Sequence, residues 1–252
     1  MKKPLAACLA FGLTVGIVAA WIILTRPTHE RAPSSKADVV DAAPQTWRDR
    51  VIDSKTGKSP AELADIEMNN LRDANERKAL VEWTSAQPWA DHKTPVLRKA
   101  MIADASEDVQ LSALEKSVYL AEKRGPEAIA EVIRAGMGAG SPRVVQQSLR
   151  EARKHPLPEL VPDLLEVADS KAAHRFLAVD ALAFTDDDRA RAKVVEVASR
   201  EDGDKSERIR AIALLSKVKG EPAYQLLGQL AGSLDDEVRK VALEALAARD
   251  VR

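Results

Sequence analysis

SLDDEVRKVALEALAARD, residues 233–250, decides the fold. Val238, Val241, Ala242, Ala245 and Leu246 fall at i, i+3, i+4, i+7 and i+8, one apolar stripe along an α-helix. Asp235 and Asp236 stand at its N-terminal end, where the helix dipole favours anions, and Arg239, Lys240 and Glu244 face water. The small residue in the middle of the stripe, Ala242, lets another helix approach closely. One such helix with its hairpin partner cannot bury this stripe, so neighbouring hairpins must stack on it.

The same pair, an apolar residue and a small one four places on, recurs upstream. Val238/Ala242 aligns with Ile209/Ala213, His174/Ala178, Val144/Ser148 and Val109/Ala113, the first members standing 35, 30, 35 and 29 residues apart in chain order. A mean near 32 lies in the band of helical repeats. Arg77/Val81, 32 residues before Val109, reads as a worn sixth copy. Each unit has a first helix (PVLRKAMIA, PEAIAEVIRAGM, PELVPDLLEVA, RARAKVVEVA, AYQLLGQLAG), a short polar turn and a second helix carrying the small residue. Ser59-Pro60 opens the series with an N-cap serine and a proline at the first helical position. The composition agrees: 45% of residues are hydrophobic but only 4% aromatic, a balance that suits helices better than a β-sandwich.

DDEVRKVALEAL, with YQLLGQLAGSL before it, resembles a HEAT repeat, and SERIRAIALL resembles a second one. The resemblance implies an all-α fold, an α-solenoid of about five to six antiparallel helix pairs over residues 59–252. Proteins of this family act mostly as protein-binding scaffolds. His174, where Val or Ile is usual, and the missing acidic turn in SPRVVQQ depart from the pattern.

Residues 4–25, PLAACLAFGLTVGIVAAWIILT, carry no charge, and the 20 residues from Leu5 to Leu24 would rise about 30 Å as a helix, one hydrocarbon thickness. Lys2 and Lys3 precede the run and Trp21 lies near its far end. Residues 1–25 thus read as a signal anchor contacting the bilayer through residues 5–24. A signal peptide cleaved after Val18-Ala19-Ala20 is the alternative. Leu5-Ala6-Ala7-Cys8 resembles a lipobox but lacks an apolar stretch before it. The short, doubly charged tail favours the N-terminus inside, which puts the body on the extracytoplasmic side of a bacterial inner membrane. Residues 26–58 read as a flexible tether, with a short helix over 46–53.

The 38 basic and 39 acidic residues are unevenly spread: residues 1–36 take five of the former and one of the latter, leaving 33 against 38, net −5. An acidic body argues against nucleic acid as a partner. Cys8 is the single cysteine, so neither a disulfide within the chain nor a thiolate metal site can form.

Chemistry is hard to find. GMGAGS, 136–141, follows a helix and lacks a GK[ST], so it reads as a helix stop using positive-φ glycines rather than a phosphate loop. His29, His92, His155 and His174 form no i,i+4 pair, which argues against a histidine zinc site. The acidic runs 186–189 (DDDR) and 201–207 (EDGDKSE) lack the full calcium-loop pattern and fall where helices begin, so they read as caps. Trp83 is expected to plug the N-terminal edge of the stack. Trp89, in a Pro-bounded loop, is a candidate protein contact, with Arg239 and Lys240 on the last helix. No catalytic, cofactor or metal residue is assigned. The expectation is a membrane-anchored, non-catalytic scaffold for another protein. An assembly or chaperone-like factor for envelope complexes, and less favourably a HEAT-like enzyme such as a lyase, are the alternatives.

Overall fold

Capping residues set where the helices begin. Ser59 accepts from the Glu62 amide (3.3 Å) while the Glu62 carboxylate accepts from the Ser59 amide (2.8 Å), a reciprocal box that starts the helix at Pro60. Asp73, Ser141, Asp187, Asp204 and Asp235 each accept from amides two or three residues on. The computed structural model describes residues 46–52, 56–170 and 172–250. The expected membrane segment and the tether up to Gln45 lie outside them. Among the described residues no helix is long and apolar enough to cross a membrane.

A short helix α1 (Trp47–Ile52) precedes six antiparallel hairpins: α2 (Pro60–Asn70) with α3 (Ala74–Ser85), α4 (Pro95–Ala103) with α5 (Glu107–Glu122), α6 (Pro126–Met137) with α7 (Pro142–Lys154), α8 (Val161–Ser170) with α9 (Arg175–Phe184), α10 (Asp188–Ser199) with α11 (Lys205–Leu214), and α12 (Glu221–Leu230) with α13 (Asp236–Asp250). Single 3₁₀ turns lead into α8 and α9, and no strand occurs among the described residues. Second helices of successive hairpins pack on one another more extensively than first helices do, so the stack curves toward its second helices.

The small-residue register holds in α5, α7, α9 and α13 and shifts in α3, where Leu80 takes the place read for Val81, and in α11. Val81, Ala113, Ser148, Ala178 and Ala242 are all buried, but Ala213 is exposed and Ile209 only half-buried. In α11 and its C-cap the buried stripe is Ala211, Ile212 and Leu215, and Ala211, seven residues after its N-cap as Ala242 is after Asp235, takes the place expected for Ala213. The reason is visible one residue before Ile209. Arg208 reaches back to the Ala198 carbonyl (3.3 Å) as Arg239 does to the Ser233 carbonyl, so Arg208 corresponds to Arg239 and the register follows the latch rather than Ile209.

That reach is a repeated device. Arg77 donates to the Leu71 and Arg72 carbonyls (3.2 and 2.7 Å), Gln110 to Asp104 (2.6 Å) and Arg239 to Ser233 (2.9 Å). Each donor stands four residues after its N-cap position and satisfies carbonyls left open at or just after the end of the first helix. Arg175 does the same to the Ala168 carbonyl (3.0 Å). Arg77 also forms a bidentate pair with Asp104 (2.7 and 3.0 Å) that locks the first hairpin to the second; counted from the caps Asp73 and Ser106 it corresponds to Gln110 and not, as read from the sequence, to Val109.

GMGAGS stops a helix as expected, but not through positive φ: Gly138, the C-cap, has φ −84°. Gly136 is there for space. A Cβ on it would lie 2.1 Å from Ser148 Oγ and 3.3 Å from Leu114 Cδ1, so α6 and α7 meet at this glycine. The left-handed backbone falls instead at Gly125 (φ 111°) and Gly220 (φ 103°), each the N-cap of the next hairpin's first helix.

Candidate functional site

The N-terminal edge is closed by aromatics. Trp83 packs edge-on against Trp47 (5.7 Å between centroids) and against Trp89 (6.1 Å), and all three join the hydrophobic core or its margin. Trp83 therefore plugs the stack as expected, and Trp89 is half-buried against it. Behind this edge His92 is buried in the turn between α3 and α4, its Nδ1 2.5 Å from Asp91 and its Nε2 3.5 Å from Glu131 of α6. Lys93 (3.1 Å) holds the Glu131 carboxyl below the usual carboxylate range, with a smaller contribution from His92. Burial pushes Asp91 up, but the Lys93 amide, His92 and Arg124 together outweigh it. This network staples a loop to the stack.

The remaining polar clusters have structural work. Asp187 and Asp204 cap α10 and α11, as read from the sequence. Asp186 and Asp188 hold Arg191 (2.5 Å each). His155 lies 3.4 Å from Glu122, His174 is buried at the start of α9, and His29 is outside the described residues. Among the described residues no group of three or more His, Cys, Asp or Glu is disposed to hold a metal ion. A groove of about 670 Å³ between α10 and α12 has an apolar floor of Val195, Val218 and Pro222, and its rim charges Asp186, Arg191 and Lys219 satisfy one another.

The second helices present a face of exposed and half-buried side chains. Equivalent positions carry Asp108, Leu111, Glu115 and Tyr119 on α5; Arg143, Gln147, Arg150 and Lys154 on α7; Phe176, Asp180 and Phe184 on α9; Arg210 on α11; and Lys240 and Glu244 on α13. A shallow depression of about 780 Å³ crosses this face from Lys78 and Glu82 of α3 to Gln147 and Lys154 of α7. Its chemistry changes from hairpin to hairpin: acidic on α5, cationic on α7, aromatic on α9. Arg153 lies over the Phe184 ring (4.8 Å) and 3.4 Å from Asp180, and Arg210 lies over the Phe176 ring (5.0 Å). Burial pushes the Asp180 carboxyl up, only partly countered by Arg153.

Of the residues singled out from the sequence, Lys240 is exposed and 4.0 Å from Glu244, while Arg239 is engaged with Ser233 and Asp236 of its own hairpin. Neither is brought together with Trp89, which sits at the other end of the stack. The α7–α9–α11 surface was not singled out. Its one sequence signal is the cationic run of α7, four basic residues against Glu151, in an acidic body.

Comparison with known families finds one match, to HEAT repeats, over residues 161–247. No curated protein matches the chain. Outside the matched span the grammar is partial: Asp73 and Ser141 cap α3 and α7, Ala113 and Ser148 are the small crossing residues of α5 and α7, and Arg77 and Gln110 are the latches of α3 and α5. The matched span runs from the start of α8 into α13 and so covers the last three hairpins.

Proposed function

We propose that the chain is a non-catalytic scaffold that binds another protein along the exposed face of its second helices. The observation that carries this reading is the composition of that face. Arginines held over phenylalanines, on rigid helices and open to solvent, are the residue types that anchor protein interfaces. HEAT repeats commonly serve in this way, and the titratable clusters elsewhere act as caps, latches and staples. An assembly or chaperone-like factor would use the same face with a shorter residence time.

The uncharged run 4–25 behind Lys2 and Lys3 supports a further part of the proposal: a membrane anchor with the body on the extracytoplasmic side of a bacterial inner membrane. A C-terminal reporter fusion active only outside the cytoplasm tests the side. For the binding face, a photo-crosslinking residue is placed at Gln147 or, as a control, at Glu127 on the first-helix side. Discrete protein adducts at Gln147 and none at Glu127 are expected. Equal adducts at both positions, or none at either, refute the scaffold reading.

A further inference from the structure

Stacked helices present a partner with rows of side chains about 10 Å apart, so the chemistry of three adjacent rows selects what can lie across them. The middle rows here are α7, α9 and α11. Arg150, exposed in the centre of α7, makes no hydrogen bond or ion pair among the described residues, and Arg210 has only the Phe176 ring. On α9 between them, Phe176 and Phe184 flank Asp180 at four-residue spacing, one aromatic strip. A guanidinium held over a ring keeps its N–H donors free for a carboxylate while the ring fixes its position.

We propose that this strip takes an acidic protein segment with an apolar or aromatic anchor: the anchor against the exposed Phe184 edge, carboxylates on Arg150 and Arg210. The proposal rests on the scaffold reading and names its partner's chemistry. Charge complementarity supports it: of the cations on α7, Arg143 pairs with Glu107 and Asp108, Arg153 with Asp180 and Lys154 with Glu151, which leaves Arg150, with Arg210 on α11, open to a partner's carboxylates. The neighbouring rows decide against a nucleic acid. Asp108 and Glu115 on α5 and Glu237 and Glu244 on α13 bound the cationic patch on both sides, and Asp180 interrupts it. A continuous polyanion would have to cross carboxylates, whereas a short segment with clustered acids need not.

The test uses the purified full chain and fluorescein-labelled peptides of 12 residues, alternating acidic residues with Leu and Phe, read by anisotropy. One control peptide replaces every Asp and Glu by Asn and Gln, a second replaces Leu and Phe by Ser, and a 12-nucleotide single-stranded DNA is the polyanion control. The acidic–apolar peptide is expected to bind at least tenfold more tightly than any control, with affinity falling as salt rises. Arg150→Glu and Arg210→Glu should each weaken it roughly tenfold. Lys240→Glu, on the same face but outside the strip, should change it less than twofold. Unchanged circular dichroism melts show that the variants fold. Equal binding of the neutral peptide, tighter binding of DNA, or indifference to both arginine reversals overturns the proposal. Adducts at Gln147 alongside any of these results would leave the scaffold standing and remove only the acidic partner.

Discussion

Gly136→Ala isolates one close helix approach in the stack. In an exposed helix this substitution stabilises by up to about 1 kcal/mol, because alanine has less backbone freedom to lose. Here the new methyl would sit 2.1 Å from Ser148 Oγ, 3.2 Å from Ser148 Cβ and 3.3 Å from Leu114 Cδ1. Rotating the hydroxyl away relieves the shortest contact but breaks its bond to the Val144 carbonyl (2.8 Å) inside the core. An orphaned buried hydroxyl costs about 1–3 kcal/mol. The Cβ contact would remain and push α6 from α7, an overpacking cost of about 1–3 kcal/mol. Setting these against the helix gain, the variant should lose about 2 kcal/mol, read as a lower urea midpoint by far-UV circular dichroism. Ser148→Ala alone removes a local bond and should cost under about 1 kcal/mol. Added to Gly136→Ala it should restore most of the loss, so the pair couples by more than about 1 kcal/mol in a double-mutant cycle. A Gly136→Ala chain more stable than the parent, or one that Ser148→Ala does not rescue, would refute the packing argument.

Arg77→Met strands the buried Asp104 carboxylate without its bidentate partner and should cost about 3–5 kcal/mol by urea denaturation; Arg77→Met with Asp104→Leu should recover a large part, because no lone charge is left in the interior. Asp180→Asn should raise the melting temperature at neutral pH. Burial raises the folded-state pKa of Asp180 above its unfolded value, so its ionised form opposes folding above that pKa. The advantage of the variant should shrink as pH falls through the raised pKa toward the unfolded value near 4; a variant less stable than the parent at neutral pH would show that the pairing with Arg153 outweighs burial.

Much of this architecture is legible in the sequence because packing repeats. Six hairpins bury the same kind of stripe, so the crossing residues recur at a fixed spacing and the caps Ser59, Asp204 and Asp235 mark where helices start. The two-residue error in α11 has a physical cause. IRAIALL contains two overlapping apolar stripes, one through Ile209 and Ala213 and one through Ala211, Ile212 and Leu215, and periodicity cannot choose between them. The choice is marked by Arg208, whose guanidinium bonds a carbonyl ten residues earlier in the preceding helix. Gly136 is similar: a glycine near a helix end suggests a turn, and only the position of Ser148 on the facing helix shows that it makes room.

The exposed face was not legible for a related reason. Folding selects the buried side of each second helix, so that side repeats, whereas the outer side answers to a partner and has no period to betray it. Arg150 and Arg153 differ by three positions in one helix and are indistinguishable as letters. In the folded chain Arg153 is held over Phe184 beside Asp180, while Arg150 makes no ion pair among the described residues. What separates them is the neighbouring row on α9, 30 residues further along the chain. An interaction surface on a stacked fold is therefore a property of adjacent hairpins taken together, and residues read one helix at a time, as Arg239 and Lys240 were, point to the helix that is easiest to recognise rather than to the rows that meet a partner.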